Sequence, residues 1–184
     1  MATGDLTTRA NAKAWLGVSQ DADDKLLDRL ITAISTNVQS WMNRNIALTG
    51  YVETRNGTGT ATMLLRNAPV VAVTALAIAG VAVLPAASYT GTGYRVAGRK
   101  LILTTAVFPR GDANVTVSYT AGFATVPADL EQAVLELVAL RYKERDRIGF
   151  ASKTLAGETV SFITKDMTES VRTLLMQYRD VVPI

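Results

Sequence analysis

The stretch DADDKLLDRLITAISTNVQSWMNR, residues 21–44, decides the class of the fold through its own spacing and through what stops at its end. Leu27, Leu30, Ile31, Ile34, Val38, Trp41 and Met42 follow one another three and four apart, which lays one apolar stripe along about six helical turns. Asp21 stands where a helix cap belongs. Asp23 and Asp24 fall in the first turn, where carboxylates meet the positive end of the helix dipole. From about Ile46 to Phe123 that spacing is gone. Thr, Val, Gly and Tyr dominate instead, and residues 63–65, 70–78, 81–84, 94–96, 101–103 and 115–119 read as short strands. Asn56-Gly57 is a hairpin signal, and the strands at 101–103 and 115–119 are expected to share a sheet.

Helical spacing frames this segment on both sides. Residues 6–16 predict a short helix capped by Thr7 or Thr8 and ended by Gly17. Pro127 sits at a first helical position, with Asp129 and Glu131 in the first turn of a helix expected to run to about Ile148. Leu130, Ala133, Val134, Leu137 and Val138 make its core stripe, while Leu135, Ala139, Leu140 and Tyr142 add apolar surface on other faces. A helix apolar nearly all round is covered on more than one side, and a second subunit is one candidate for the second wall. Residues 150–157 read as a polar loop and 158–163 as a strand. Thr168 caps a last helix that carries Val171, Leu174, Leu175 and Tyr178. The expected fold class is α+β: a discontinuous helical-bundle core, 1–45 and 124–184, with an antiparallel β-module inserted at 46–123.

Composition narrows the chemistry. The 184 residues include no cysteine and no histidine, which removes disulfides, thiolate metal sites, thiol nucleophiles and imidazole bases. An enzyme would have to work with carboxylates, lysine or hydroxyls alone. No cofactor and no metal ligand set is expected. The net charge of +3 is too weak to imply nucleic acid. Its distribution is uneven: between 46 and 123, Arg55, Arg66, Arg95, Arg99, Lys100 and Arg110 oppose only Glu53 and Asp112, so that segment carries +4 and the rest of the chain −1. The first residues lack the basic and apolar regions of a signal peptide. Residues 68–87 are long and apolar enough to be weighed as a membrane span, but Pro69, Gly80 and Pro85 interrupt them and the alternation favours buried strands.

No motif of catalysis stands up to its bland alternative. Gly93, Gly98, Arg99 and Lys100 miss the phosphate-loop pattern, because Arg99 intervenes, Leu101 follows, and the context is strand to strand. Ser152-Lys153 is a hydroxyl beside an amine with no oxyanion donors to name. Asp21, Asp23 and Asp24 lack the glycine and terminal glutamate of a calcium loop. The run Arg141, Tyr142, Lys143, Glu144, Arg145, Asp146 and Arg147 interleaves both signs, which suits pairing within or between subunits better than a phosphate track. Its residues Tyr142, Lys143, Glu144, Arg145, Asp146 and Arg147, with Leu135, form the candidate interface between subunits.

Several passages in order resemble a known family. They are Leu6-Thr7-Thr8 with Ala14-Trp15-Leu16-Gly17, then residues 23–31, then Phe108-Pro109-Arg110-Gly111. Tyr119-Thr120-Ala121-Gly122-Phe123 follows, with Pro127-Ala128-Asp129-Leu130, Arg141-Tyr142-Lys143-Glu144-Arg145 and Gly157-Glu158-Thr159-Val160-Ser161-Phe162 after it. The chain resembles the head–tail connector, or adaptor, proteins of tailed bacteriophages and prophages. The resemblance implies a structural virion protein of the neck, assembled in the host cytoplasm and not an enzyme. It implies a ring, typically dodecameric, under the portal protein, through which genomic DNA passes without sequence-specific binding, and which docks a tail-completion, stopper or tail-terminator protein. No membrane partner is expected. More compact adaptors lack a β-segment such as 52–106. The alternatives are a tail-completion or stopper protein of the neck, and a small carboxylate-dependent hydrolase.

The tail Asp180-Val181-Val182-Pro183-Ile184 is apolar where a chain end is normally polar. In adaptors the C-terminal segment commonly reaches into the portal. Val171, Leu174, Leu175, Tyr178, Arg179, Val181, Val182 and Ile184 are therefore the expected portal-binding residues.

Overall fold

A computed structural model of the chain describes residues 4–145, 152–155, 158–161 and 167–180. Among them the element order is α1 (Arg9–Leu16), α2 (Asp24–Met42), β1 (Thr49–Gly57), β2 (Thr62–Leu64), β3 (Val70–Ile78), β4 (Val81–Val83), β5 (Tyr94–Ala97), β6 (Lys100–Leu103), β7 (Gly111–Ala121), α3 (Ala128–Glu144), β8 (Ser152–Leu155), β9 (Glu158–Ser161) and α4 (Glu169–Met176). The fold is α+β, and the chain divides into two compact units: Met1–Ile46 with Val126–Ile184, and Ala47–Thr125.

The helical unit is organised around α3. Leu27, Ile31, Val38 and Met42 of α2 are buried, as are Leu130, Ala133, Val134, Leu137 and Val138 of α3. α1 and α4 also pack on α3, bringing the buried Ala12, Val171 and Leu175. The apolar girth of α3, Leu135 and Ala139 included, is thus met by three helices of the same chain, and by itself it no longer calls for a neighbouring subunit. Polar ties fix the entry of the chain: Leu6 N–H donates to the buried Ser35 Oγ at 3.0 Å, and Thr7 Oγ1 donates to Glu131 at 2.9 Å. Thr8 caps α1 by accepting from Asn11 N–H, and Gly17 closes it in the left-handed region at φ 69°. Asp21 is not the cap of α2. That helix begins at Asp24 behind Asp23, because the Asp21 carboxylate is drawn back to Lys13 Nζ at 2.7 Å. The polar loop expected at 150–157 contains β8, which pairs antiparallel with β9. α3 is described as far as Glu144, and the expected helix end at about Ile148 lies outside the described residues.

The β-unit consists of a four-stranded sheet, β1-β7-β3-β4, and a three-stranded sheet, β2-β6-β5. Every strand pair in it is antiparallel. Strict alternation on β7 sends Val115, Val117, Tyr119 and Ala121 inward and Thr116, Ser118 and Thr120 outward. The inward set joins Leu76 of β3 and Met63, Leu101, Leu103 and Tyr94 of the smaller sheet in one core, closed by Phe108 and Leu65. β6 and β7 therefore stand in different sheets, against expectation. Both edges of the eleven-residue β7 are taken by the longer β1 and β3, which leaves the four-residue β6 to β2 and β5. Asn56-Gly57 is likewise no hairpin turn. It ends β1, where Asn56 Oδ1 accepts from Ala113 N–H and a Cβ on Gly57 would fall 1.9 Å from Pro109 O. Ala79-Gly80 makes a hairpin turn between β3 and β4, with both residues at positive φ.

One buried polar group secures this core. Tyr119 Oη donates to Glu53 Oε1 and accepts from Asn67 N–H at 3.1 Å and Nδ2 at 3.0 Å. Burial first, and then the bond to Glu53, push its phenol above the ordinary value of 10.0. The neutral form is thus favoured on folding, so its stabilisation is complete below about pH 10 and is lost as pH rises through the raised value. Tyr119→Phe leaves these partners without the hydroxyl. It is expected to cost about 1–3 kcal/mol in calorimetric or denaturant unfolding, and to reduce the alkaline loss seen in the wild type.

Candidate functional site

With no catalytic motif in the sequence, the functional surface is sought among side chains placed for contact, starting at the C-terminal segment. Thr168 caps α4, its hydroxyl accepting from Val171 N–H at 3.5 Å. Val171 and Leu175, 2% and 0% exposed, fill the helical unit's own core. Leu174 and Tyr178 are half-buried, and Arg179 is exposed. Tyr178 Oη lies 2.7 Å from both carboxylate oxygens of Asp129, at the start of α3. Burial, then the bond and charge of Asp129, raise the Tyr178 phenol above its usual value. Arg44 donates to Tyr178 O at 3.2 Å, Asp180 N–H donates to Met42 O at 2.9 Å, and the Arg179 guanidinium lies 5.1 Å from the Trp41 ring centre. The chain is therefore bound to its own helices as far as Asp180. Val181, Val182 and Ile184 lie outside the described residues.

The proposed ring-interface set divides in the same way. Leu135 and Tyr142 are buried within the unit. Tyr142 Oη donates to the Asp23 carboxylate, and Arg145 stacks on the Tyr142 ring at 4.2 Å with Nη2 3.8 Å from Asp23. Lys143 is exposed and Glu144 half-buried. Asp146 and Arg147 lie outside the described residues.

The aspartates weighed as a cation site and the Gly98-Arg99 turn have structural employment. Lys13 Nζ bridges Asp21 at 2.7 Å and Asp24 at 2.8 Å, which raises the Lys13 amine, through Asp21 first, and lowers Asp21. Arg9 pairs with Asp28 at 3.0 Å. Gly98 turns the β5–β6 hairpin at φ 59°, and Arg99 donates to the carbonyls of Leu65 and Arg66. No helix follows that turn, so no helix N-terminus faces a phosphate there. Among the described residues no group of three or more metal-ligating side chains gathers, and no helix is long and apolar enough to cross a membrane.

Folding also creates a surface that no single stretch of sequence contains. Cross-strand register puts Thr62 beside Ile102 and Arg95, and Leu64 beside Lys100 and Ala97, on the face of β2-β6-β5 turned away from the core. Tyr89, from the β4–β5 loop, lies on this face with its ring centre 3.8 Å from the Arg95 guanidinium carbon. Its trace in the sequence is the acid-free run from Thr54 to Gly111.

Comparison with known families closes the question of kinship. The model of the head completion protein family matches residues 5–181. The chain belongs to the head completion protein family. Comparison with curated proteins gives no significant match. Among solved structures, a chain from the neck of an empty gene transfer agent particle computed with C6 symmetry is 24% identical, with a TM-score of 0.62 over 100% of this chain and 94% of that one. A chain from the virion of a native gene transfer agent particle is 23% identical, with a TM-score of 0.64 over 100% and 94%. A third, from the neck of the native particle computed with C12 symmetry, is 20% identical, with a TM-score of 0.58 over 100% and 98%. These likenesses establish that the head completion protein shares their fold across both of its units.

Proposed function

We propose that this head completion protein is a ring-forming adaptor of the particle neck. It sits beneath the portal, continues the DNA channel and offers the tail a docking surface. The family match across residues 5–181 carries this reading. It is supported by structural likeness to chains from necks computed with C6 and C12 symmetry, the symmetries of a six- or twelvefold ring. Asp21, Asp23 and Asp24, the carboxylates weighed as a cation site, are engaged by Lys13, Tyr142 and Arg145. In the ring, the charged run that follows Tyr142 in sequence, Lys143 to Arg147, faces a neighbour. The apolar end of the chain, with the exposed sides of Leu174, Tyr178 and Arg179, meets the portal. Val171 and Leu175 support that contact from within the fold.

Two experiments test these contacts. Purified chain mixed with purified portal rings is expected to co-sediment as one complex, and separate migration at all ratios contradicts the assignment. Arg145→Glu with Arg147→Glu is expected to reduce ring yield in mass photometry more than it lowers the melting temperature. Exposed pairs contribute only about 0–1 kcal/mol each, so a strong effect requires charges desolvated between subunits. Equal ring yield for variant and wild type at low and raised salt removes α3 from the interface.

A further inference from the structure

We infer that the outer face of the small sheet β2-β6-β5 docks a protein other than this chain, through a segment in which carboxylates flank apolar side chains. The composition of the face points to a protein. Tyr89 is 79% exposed and Leu64 55%, while Ile102 is half-buried between Thr62 and Arg95. Tyrosine and arginine are the usual anchors of protein interfaces, and Tyr89 over Arg95 is such a pair, with Leu64 as apolar surface beside it. Against a duplex backbone, by contrast, Leu64 and Ile102 would gain nothing. The charge points to an acidic partner. Lys100 is exposed on this face, Arg66 is exposed at the end of β2, and neither has an ion pair among the described residues. No Asp or Glu occurs between Glu53 and Asp112 to offset them.

Arg95 adds a specific request. Its Nε is buried and has no hydrogen-bond acceptor among the described residues, while Tyr89 covers the guanidinium plane. The Nη end of the guanidinium is not among the buried atoms, and a carboxylate presented to it gains a charge-assisted hydrogen bond.

The face is also pre-organised. Tyr94 N–H donates to Leu84 O at 3.1 Å and Ala86 N–H donates to Tyr94 O at 2.9 Å, which fastens the loop bearing Tyr89 at both of its ends. A Cβ on Gly93 would fall 2.5 Å from Leu84 O, so the close approach there depends on glycine. A surface held in place before binding loses little entropy on docking.

A second copy of this chain is the poorer occupant. The β-unit carries net positive charge, so like faces repel. The carboxylates at the α1–α2 corner are already held by Arg9 and Lys13. The partner is therefore another component of the particle, which makes this inference rest on the neck reading above.

The test replaces Tyr89 by p-benzoylphenylalanine (Tyr89→p-benzoylphenylalanine) in cells producing particles, irradiates the purified particles and maps the adducts by mass spectrometry. The expected result is an adduct with a different virion protein, on a segment where Asp or Glu lies within a few residues of apolar side chains. Adding Lys100→Glu or Arg95→Glu is expected to lower that adduct about tenfold or more while the chain still enters particles. Lys100 is exposed, so Lys100→Glu carries the test even where Arg95→Glu disturbs folding. Adducts confined to a second copy or to DNA, no adduct from particles that contain the chain, or an undiminished adduct in Lys100→Glu overturns the inference. Absence of the wild-type chain from the particles overturns the neck reading itself.

Discussion

Leu175→Ala is expected to lower the melting temperature of the chain by about 5–15 °C and to release α4 from the helical unit. Leu175 is 0% exposed and belongs to α4, which packs on α3 and α2. Truncating a leucine in such a site costs about 2–5 kcal/mol, from lost transfer energy and the cavity left behind. A domain of this kind has about 5–15 kcal/mol in all, and in a chain of this length about 1 kcal/mol moves the transition by roughly 2–4 °C. The loss is expected to be cooperative with the contacts that follow in sequence, Tyr178 to Asp129 and Asp180 to Met42, because both depend on α4 lying where it does. Leu174→Ala serves as the control. One residue away and half-buried, it is expected to change stability by less than about 1 kcal/mol. A reversal of the two effects in thermal unfolding means that α4 presents its other face to the core.

The second large effect concerns the end of the chain. Deletion of residues 181–184 is expected to leave the melting temperature unchanged and to abolish joining of the protein to filled heads. The cut is placed after Asp180 because its N–H donates to Met42 O and belongs to the fold. Val181, Val182 and Ile184 are each able to contribute about 1.5–3 kcal/mol on burial before ordering costs are subtracted. Repetition around a ring multiplies a contact of that size into a decisive one, and its loss is multiplied equally. Unfolding or aggregation of the truncated protein, with normal head joining where soluble material survives, assigns the tail to the chain's own core.

These two predictions also mark how far the sequence could be read. The spacing of Leu27, Ile31, Val38 and Met42 identifies the buried side of α2, and the alternation from Val115 to Ala121 sorts inward from outward on β7, because both patterns arise within one element. Partners are another matter. Val171, Leu174, Leu175 and Tyr178 share one amphipathic signature, yet Val171 and Leu175 are core while Leu174 and Tyr178 keep an exposed side. Periodicity shows which residues share a face, and not what covers it. The same limit explains Tyr142, whose place in a charge run suggested a surface and whose hydroxyl is held by Asp23, 119 positions earlier. It explains the assignment of β6 and β7 to one sheet, since strand choice depended on the competing lengths of β1 and β3. The surface around Arg95 and Tyr89 left one trace, the acid-free run, but only cross-strand register brings Leu64, Lys100 and Arg95 together.

The central claim is that this head completion protein forms the ring that meets the portal. Cryo-electron microscopy of the neck in purified filled particles, with this chain traced, tests it most directly. The expected result is a closed ring of this chain in contact with the portal, residues 143–147 against a neighbouring copy, and residues 174–184 against portal density. A trace that places the chain on the tail side of another ring, with its C-terminal residues folded into its own helices and no portal contact, contradicts it.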